Sequence, residues 1–205
     1  MAEIIKSIKD IETIFKKVVL TILNLNPKTN PKRVRTPWGA RSNSAPSFGR
    51  DEDVCFVYVL PQDNSYTRQR NKRYVDRGGR DLVEIEEYIE VHHINFSNYG
   101  PNAYECARDI RDGLFSHEIR RFLREHNISL IPDVSAMVRV PELIQSEWWN
   151  RVDISARFNE FVRRECEMPV IENISINVKN VNKDGEVIRE EIIERSYNHG
   201  KIVTE

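Results

Sequence analysis

The sequence predicts an α+β fold: a mainly antiparallel central sheet of about four strands, packed by two to three helices and followed by a C-terminal extended β-hairpin. Three observations predict it. Apolar residues recur at helical spacing near the N-terminus and again after residue 101. Elsewhere, apolar and polar residues alternate over long runs, as they do in strands with one buried face. Asp184 and Gly185 form a hairpin-turn signal between the last two such runs.

The first helix is predicted over residues 8–25. Ser7 and Asp10 have the spacing of a capping box, and the following apolar residues keep helical spacing until two Asn-Pro pairs interrupt it. A second helix is predicted over residues 101–116, with Pro101 tolerated in its first turn. A shorter helix follows it.

The central strands are predicted at residues 54–60, 82–95, 136–140 and 148–162. The first is continuously apolar, which indicates burial on both faces. In the second, the predicted inward residues are Val83, Ile85, Ile89 and Val91, and the outward residues are Glu84, Glu86, Tyr88 and Glu90. Segments 27–50 and 61–81 lack periodicity and are predicted to be loops.

We predict two parts of the chain, an α+β domain over residues 1–168 and an extension over residues 169–205. The composition changes near this boundary, because residues 165–205 hold nine acidic and five basic side chains. Within the extension, residues 170–197 are interpreted as the hairpin and residues 198–205 as a loose, flexible tail.

Basic side chains are concentrated in two segments, although the formal net charge is only −1. Residues 28–50 hold six basic residues and no acidic one, and residues 68–80 hold six basic residues and one acidic one. The second segment is a candidate lumen or partner-binding loop and comprises Arg68, Arg70, Lys72, Arg73, Arg77 and Arg80. Such loops could bind nucleic acid through its phosphates. Equally, basic loops and acidic surfaces on one subunit would be complementary in a head-to-tail ring.

The sequence lacks recognisable catalytic patterns. His92 and His93 are adjacent in a predicted strand, so they point to opposite faces and are poorly placed to share a metal ion. Glu84 and Glu86 could belong to a metal-dependent nuclease, but the lysine and further carboxylate of such sites are not found at suitable spacing. Nucleotide-binding glycine motifs and the serine-hydrolase motif are absent. We therefore predict a protein that is not an enzyme and needs neither cofactor nor metal.

Outward residues of the long strands are the candidate subunit or partner interface: Glu84, Glu86, Glu90, Trp148, Trp149, Arg151 and Arg157. Because Trp148 and Trp149 are adjacent, their rings are expected to face opposite ways, one of them away from the core. Aromatic and arginine side chains are favoured anchors of protein interfaces. A membrane partner is not expected, since the longest apolar run, residues 18–25, is too short to span a bilayer.

Several segments together resemble the tail-terminator or neck-terminator proteins of tailed phages. They are the N-terminal helix, residues 34–39 (VRTPWG), the apolar strand 54–60, residues 98–103 (NYGPNA) with the following helix, and residues 147–153 (EWWNRVD). The resemblance implies an α+β structural protein of the virion tail or neck, assembled in the host cytoplasm, without catalytic residues.

The resemblance also implies a homo-oligomeric ring, commonly of six copies, which ends growth of the tail tube or sheath and joins the tail to the neck. The expected partners are further copies of the chain, the tube protein, the sheath, the neck connector and, non-specifically, DNA in the ring lumen. The hairpin is expected to reach a neighbouring subunit or another tail protein. The alternative hypothesis is a nucleic-acid-binding accessory protein that uses the basic segments 28–50 and 68–80.

Overall fold

The computed structural model describes residues 6–36, 48–62, 65–78, 82–144, 146–169, 173–198 and 201–204. The helices in these ranges are α1 (Ile8–Ile22), α2 (Ala103–Gly113) and α3 (His117–Glu125), with a short 3-10 helix at Ser65–Arg68. The strands are β1 (Val34–Arg35), β2 (Val54–Pro61), β3 (Asn71–Asp76), β4 (Leu82–Tyr99), β5 (Ile128–Ile131), β6 (Val138–Arg139), β7 (Glu142–Ile144), β8 (Glu147–Trp149), β9 (Arg151–Met168), β10 (Asn173–Val181), β11 (Val187–Asn198) and β12 (Lys201–Thr204). This combination of helices and mostly antiparallel strands confirms the predicted α+β class.

The central sheet has seven strands within the described ranges, so the prediction of about four strands was wrong. Strands β1, β2, β4, β9 and β5 follow one another across the sheet, while β3 also pairs with β4 and β6 with β9. Strand β1 is parallel to β2, whereas β2–β4, β5–β9 and β6–β9 are antiparallel. The added strands β1 and β3 lie in segments predicted to be loops. They are short or carry mostly exposed polar side chains, so they show little hydrophobic period.

The segment before β7 also differs from its prediction. A strand was expected at residues 136–140, but β5 forms earlier and β6 is only two residues long. Pro132 follows β5 directly, and Pro141 lies two residues beyond β6. Because proline donates no backbone hydrogen bond, each limits how far its strand can pair with β9.

The helices pack on one face of the central sheet, where the main hydrophobic core lies. Phe15 of α1 is fully buried, with its ring centroid 4.5 Å from that of Phe158 and 6.4 Å from that of Phe96. Helices α2 and α3 add Ala107, Ile110 and Leu123 among others to the same cluster. Alternate residues of β9 supply the sheet side: Val152, Ile154, Ala156 and Phe158.

Helix α1 confirms the predicted capping box but ends three residues earlier than expected. The Ser7 hydroxyl accepts a hydrogen bond from the Asp10 amide at 3.2 Å, and the Asp10 carboxylate accepts one from the Ser7 amide at 2.9 Å. The helix ends at Ile22 because Asn24 adopts a left-handed conformation, with φ of 50°. No helix in the described ranges is long and apolar enough to span a membrane.

The two faces of β4 do not keep one alternation, in contrast to the prediction. Val83 and Ile85 are buried as expected, but Tyr88 is only 7 % exposed and Ile89 is 40 % exposed, the reverse of their predicted orientations. Beyond this point the even-numbered residues Ile94 and Phe96 lie in the core. The guanidinium of Arg70 lies 3.6 Å from the centroid of the Tyr88 ring, a cation–π contact that accounts for part of the burial of Tyr88.

The long last strand was predicted to begin at residue 148, but residues 147–149 are not part of it. They form β8, which pairs with β7 as a separate two-stranded hairpin, and β9 starts at Arg151. Ser146, in the turn between β7 and β8, has φ of 68°, and such a conformation re-directs the chain.

The described residues of 6–71 and 87–163 form one compact unit, and those of 72–86 and 164–204 form a second. Within the second unit, β10 and β11 form the predicted antiparallel hairpin, with Gly185 at φ of 83° in its turn. Residues 201–204, expected in a loose tail, instead form β12, which pairs with β11 as a third strand. The proposed division into residues 1–168 and 169–205 stays a prediction.

Candidate assembly surface

The β7–β8 hairpin presents two large apolar side chains to solvent. Leu143 and Trp148 lie directly opposite each other in the hairpin register. Leu143 is 56 % exposed and Trp148 is 62 % exposed. Directly opposed residues of an antiparallel pair project from the same face, so these two side chains form one apolar surface, called here the Trp148 patch.

Trp149 points away from this patch into a small aromatic cluster. Its ring meets that of Phe48 edge to face, with centroids 5.1 Å apart. Phe48 also contacts Phe56 and Tyr99, and the centroid of each of these rings lies 5.7 Å from the centroid of the Phe48 ring. Edge-to-face arrangements are favoured between aromatic rings. The adjacent tryptophans thus have the opposite orientations that the sequence predicted, and Trp149 fixes the hairpin that exposes Trp148.

Arg151 braces the hairpin through several charged and polar contacts. Its guanidinium donates two hydrogen bonds to Asp153, at 2.9 and 2.8 Å, and one to Glu142 of β7 at 3.2 Å. Tyr99 donates its hydroxyl proton to the same Glu142 carboxylate at 2.6 Å. The hydrogen bonds to Asp153 raise the pKa of Arg151, while burial and the bond to Glu142 raise the pKa of Tyr99. Arg151 therefore acts within the chain as a positioning residue for the Trp148 patch.

Replacing Tyr99 by phenylalanine is expected to lower the free energy of unfolding by about 1–2 kcal/mol, because the half-buried Glu142 carboxylate loses one of its donors. Urea denaturation followed by circular dichroism measures the change. Tyr58→Phe is the matched control, since the Tyr58 hydroxyl has no hydrogen bond to the described part of the chain and its loss should change stability little. Equal effects of the two substitutions would contradict the role of the Tyr99 hydroxyl.

Three of the remaining predicted interface residues, Glu84, Glu86 and Arg157, have partners within the chain. Glu84 accepts a hydrogen bond from Lys72 at 2.7 Å, which lowers the pKa of Glu84 and raises that of Lys72. Glu86 is half-buried and adds to the negative potential at Lys72. Arg157 pairs with Asp133. Their role as interface residues stays a proposal, since these contacts neither need nor exclude a partner.

The second basic segment is also engaged with the protein itself. Arg70 stacks on Tyr88, Lys72 pairs with Glu84, and Arg77 donates to Glu165 at 2.7 Å. Arg68 and Arg73 have interaction partners as well. Arg80 and Arg41 lie outside the described residues. The segment includes β3, so it is a sheet edge for much of its length and not the loop that was predicted.

A buried polar network lies at one end of the core. Glu160 is 1 % exposed and accepts hydrogen bonds from the Lys6 ammonium and from Nε2 of His92, both at 2.7 Å. Burial raises the pKa of the Glu160 carboxyl, but the hydrogen bonds and charges of His92 and Lys6 outweigh it, and the pKa lies below its ordinary value. Sequence spacing could not identify this network, because its members are far apart in the chain.

Among the described residues, a group of side chains close enough together to bind a metal ion overlaps this network. One ligand atom from each of Glu90, His92 and Glu160 lies within 4.8 Å of the others. Lys6 already supplies a positive charge to the Glu160 carboxylate. We interpret the group as a structural ion-pair network, because the charge that a cation would neutralise already has its counter-ion. His93, on the opposite face of β4, has its pKa lowered by burial and by Arg157.

The C-terminal hairpin carries a row of exposed aliphatic side chains on one face, while Ile192, 61 % exposed, lies opposite Asn177 on the other face. Ile174, Ile176 and Val178 of β10 are 47–49 % exposed and alternate with polar residues, so they project from the same face. Ile193 of β11 lies directly opposite Ile176. Ile174, Ile176, Val178 and Ile193 are called here the hairpin face. The sequence showed the alternation of apolar and polar residues. It did not show whether another part of the chain covers the hairpin face.

Comparison with known protein families gives a match over most of the chain. A family model described as phage neck terminator protein matches residues 9–185. No curated protein matches the chain. The matched region contains the Trp148 patch, the Arg151 contacts, His92 and Glu160 of the buried network, and all of β10.

Proposed function

The chain belongs to the phage neck terminator protein family, whose members are structural proteins of the bacteriophage virion at the tail and neck, and we propose that it forms a homo-oligomeric ring there. The ring has six copies and sits at the head-proximal end of the tail. It ends growth of the tube and sheath and joins the tail to the neck connector. Assembly takes place in the host cytoplasm.

The Trp148 patch is the observation that supports this proposal best. A tryptophan that is 62 % exposed costs free energy in water unless a partner covers it. The patch is also held in place, because Trp149 packs on Phe48 and Arg151 ties β7 to β9. A rigid apolar anchor with a polar surround is characteristic of protein–protein interfaces.

We propose as partners the further copies in the ring, the tube protein, the sheath protein where the tail contracts, and the neck connector. DNA passing through the ring would make only non-specific contact with the second basic segment. Glu84 and Glu165 already neutralise Lys72 and Arg77, which reduces the phosphate-binding capacity of that segment. This pairing disfavours a nucleic-acid-binding accessory protein.

The proposal is tested by adding the purified chain to tails from a phage that lacks its own copy of the gene. Negative-stain microscopy should show rings at one end of each tail, and heads should then join to those tails. Trp148→Ala is expected to reduce joined particles by at least about tenfold through lost interface packing. The exposed substitution Ser129→Ala on β5 serves as the control. A chain that forms no ring and binds no tail end would overturn the proposal.

A further inference from the structure

The hairpin face is an apolar surface that needs a cover. Three of its side chains are close to half exposed, and the strands that carry them pair only with each other and β12 among the described residues. Small sheets of this kind have little stability in water without a second layer against an apolar face. Exposed aliphatic area of several hundred Å² is typical of an interaction site.

The Trp148 patch is a second apolar surface on the same chain. Val138 and Val140, which precede Leu143 in the chain, are also exposed. The Trp148 patch lies on β7 and β8, whereas the hairpin face lies on β10 and β11. One chain thus carries two different apolar surfaces.

We propose that the hairpin face of one protomer packs against the Trp148 patch of the next protomer around the ring. The inference rests on the proposed ring and names the contact that builds it. A closed ring requires a heterologous interface, in which two different surfaces of one subunit meet in neighbouring copies. The two apolar surfaces provide such a pair.

Contact between two identical hairpin faces would give a different assembly. Identical surfaces meet about a twofold axis and produce a dimer, which leaves the Trp148 patch uncovered. When the hairpin face of each copy packs on the Trp148 patch of the next, both surfaces are covered in every copy. The same contact repeats around the ring. The nine residues of β10 span about 30 Å, which is long enough to reach over a subunit boundary.

The distribution of charge fits this arrangement. Glu191 lies directly opposite Val178 and Arg189 lies two residues earlier, so both border the hairpin face, with side chains 56 % and 74 % exposed. Glu147 is exposed beside Trp148. Charged groups of both signs around an apolar centre are typical of an interface rim, where they remain solvated and set the register.

The test uses two full-length variants, Ile176→Asp in the hairpin face and Leu143→Asp in the Trp148 patch. Each removes one half of the contact, so each alone is expected to be monomeric, with a dissociation constant raised at least about 100-fold. A one-to-one mixture retains one intact pair of surfaces and should form a heterodimer that cannot close into a ring. Mass photometry of the wild type, each variant and the mixture measures this.

Matched controls place the same charge nearby on other surfaces. Ser175→Asp lies on the opposite face of the hairpin, and Ser129→Asp lies on β5. Both should leave the rings intact. Trp148→Ala gives a milder test of the patch, and circular dichroism of each variant identifies any loss of folding.

The outcomes separate this inference from the proposed function. Wild-type rings that persist in both aspartate variants would overturn the inference and leave the ring in place. Dimers of Leu143→Asp alone would show that identical hairpin faces meet, which also overturns it. A wild-type chain that stays monomeric, alone and on tails, would overturn the proposed function as well.

Discussion

Replacing Glu160 by glutamine is expected to lower the free energy of unfolding at neutral pH by about 3 kcal/mol, the size of effect found when one partner of a buried ion pair is removed. Glutamine keeps the shape of the side chain but not its charge. The Lys6 ammonium, whose side chain is 12 % exposed, then lies partly buried without its counter-ion. His92 also loses its carboxylate acceptor.

The size of this effect should depend on pH. The pKa of Glu160 in the folded protein lies below its ordinary value of 4.5, because His92 and Lys6 stabilise the carboxylate more than burial destabilises it. Its contribution to stability is therefore fully present above the unfolded-state pKa and is lost as the pH falls through the folded-state pKa. The difference between wild type and variant should shrink below about pH 4.5.

Urea denaturation of both proteins between pH 7 and pH 3 measures this difference. Glu84→Gln is the control, because the Glu84–Lys72 pair lies at the surface, where ion pairs contribute little. A Glu160→Gln variant as stable as the wild type at pH 7 would mean that the network contributes no net stability. If the difference in free energy of unfolding between wild type and Glu160→Gln stayed constant with pH, the lost stability would come from altered packing and not from the lost charge.

The sequence predicted those elements whose signals are local. Helix α1 was found because its capping box and apolar spacing lie within one continuous segment. The turn of the C-terminal hairpin was found because Asp-Gly suits the positive φ that Gly185 adopts. The opposite orientations of Trp148 and Trp149 followed from strand geometry alone. In each case the physical cause involves residues within a few positions of each other.

Features that depend on distant residues were missed. Strand β3 is stabilised by its pairing with β4, and no hydrophobic period marks it. Tyr88 is buried where an outward side chain was predicted, and part of its cover is the Arg70 guanidinium from another segment. The hydrogen bond that helps to hold the Trp148 patch in place joins Tyr99 to Glu142, which are 43 residues apart in sequence. Single-sequence spacing contains no information about such pairs.

Replacing Gly100 by alanine is expected to lower the free energy of unfolding by about 3–5 kcal/mol, from backbone strain and steric overlap together. Gly100 has φ of 111°, which side-chain-bearing residues rarely adopt. An added Cβ would lie 2.6 Å from Oδ1 of Asp53 and 2.7 Å from the Asp53 Cα. The backbone at Glu52 and Asp53, directly before β2, would therefore have to move.

The position of Gly100 extends this effect to the assembly surface. Its amide donates to the Asn150 carbonyl at 3.3 Å, and its own carbonyl accepts from the Asn150 side chain at 3.1 Å. Asn150 directly follows β8, so Gly100 joins the end of β4 to the strand that carries Trp148. Substitution should consequently reduce ring formation in addition to stability.

Gly185→Ala separates conformational strain from steric overlap. Gly185 also has positive φ, at 83°, but no atom lies within 4 Å of the added Cβ. Its substitution should cost only about 1–2 kcal/mol, the strain of a left-handed residue. Urea denaturation of both variants and mass photometry at matched concentration measure the two effects. Equal losses of stability would show that the overlap with Asp53 is relieved at no cost. They would also show that the close approach of Asp53 to Gly100 does not hold the β7–β8 hairpin in place.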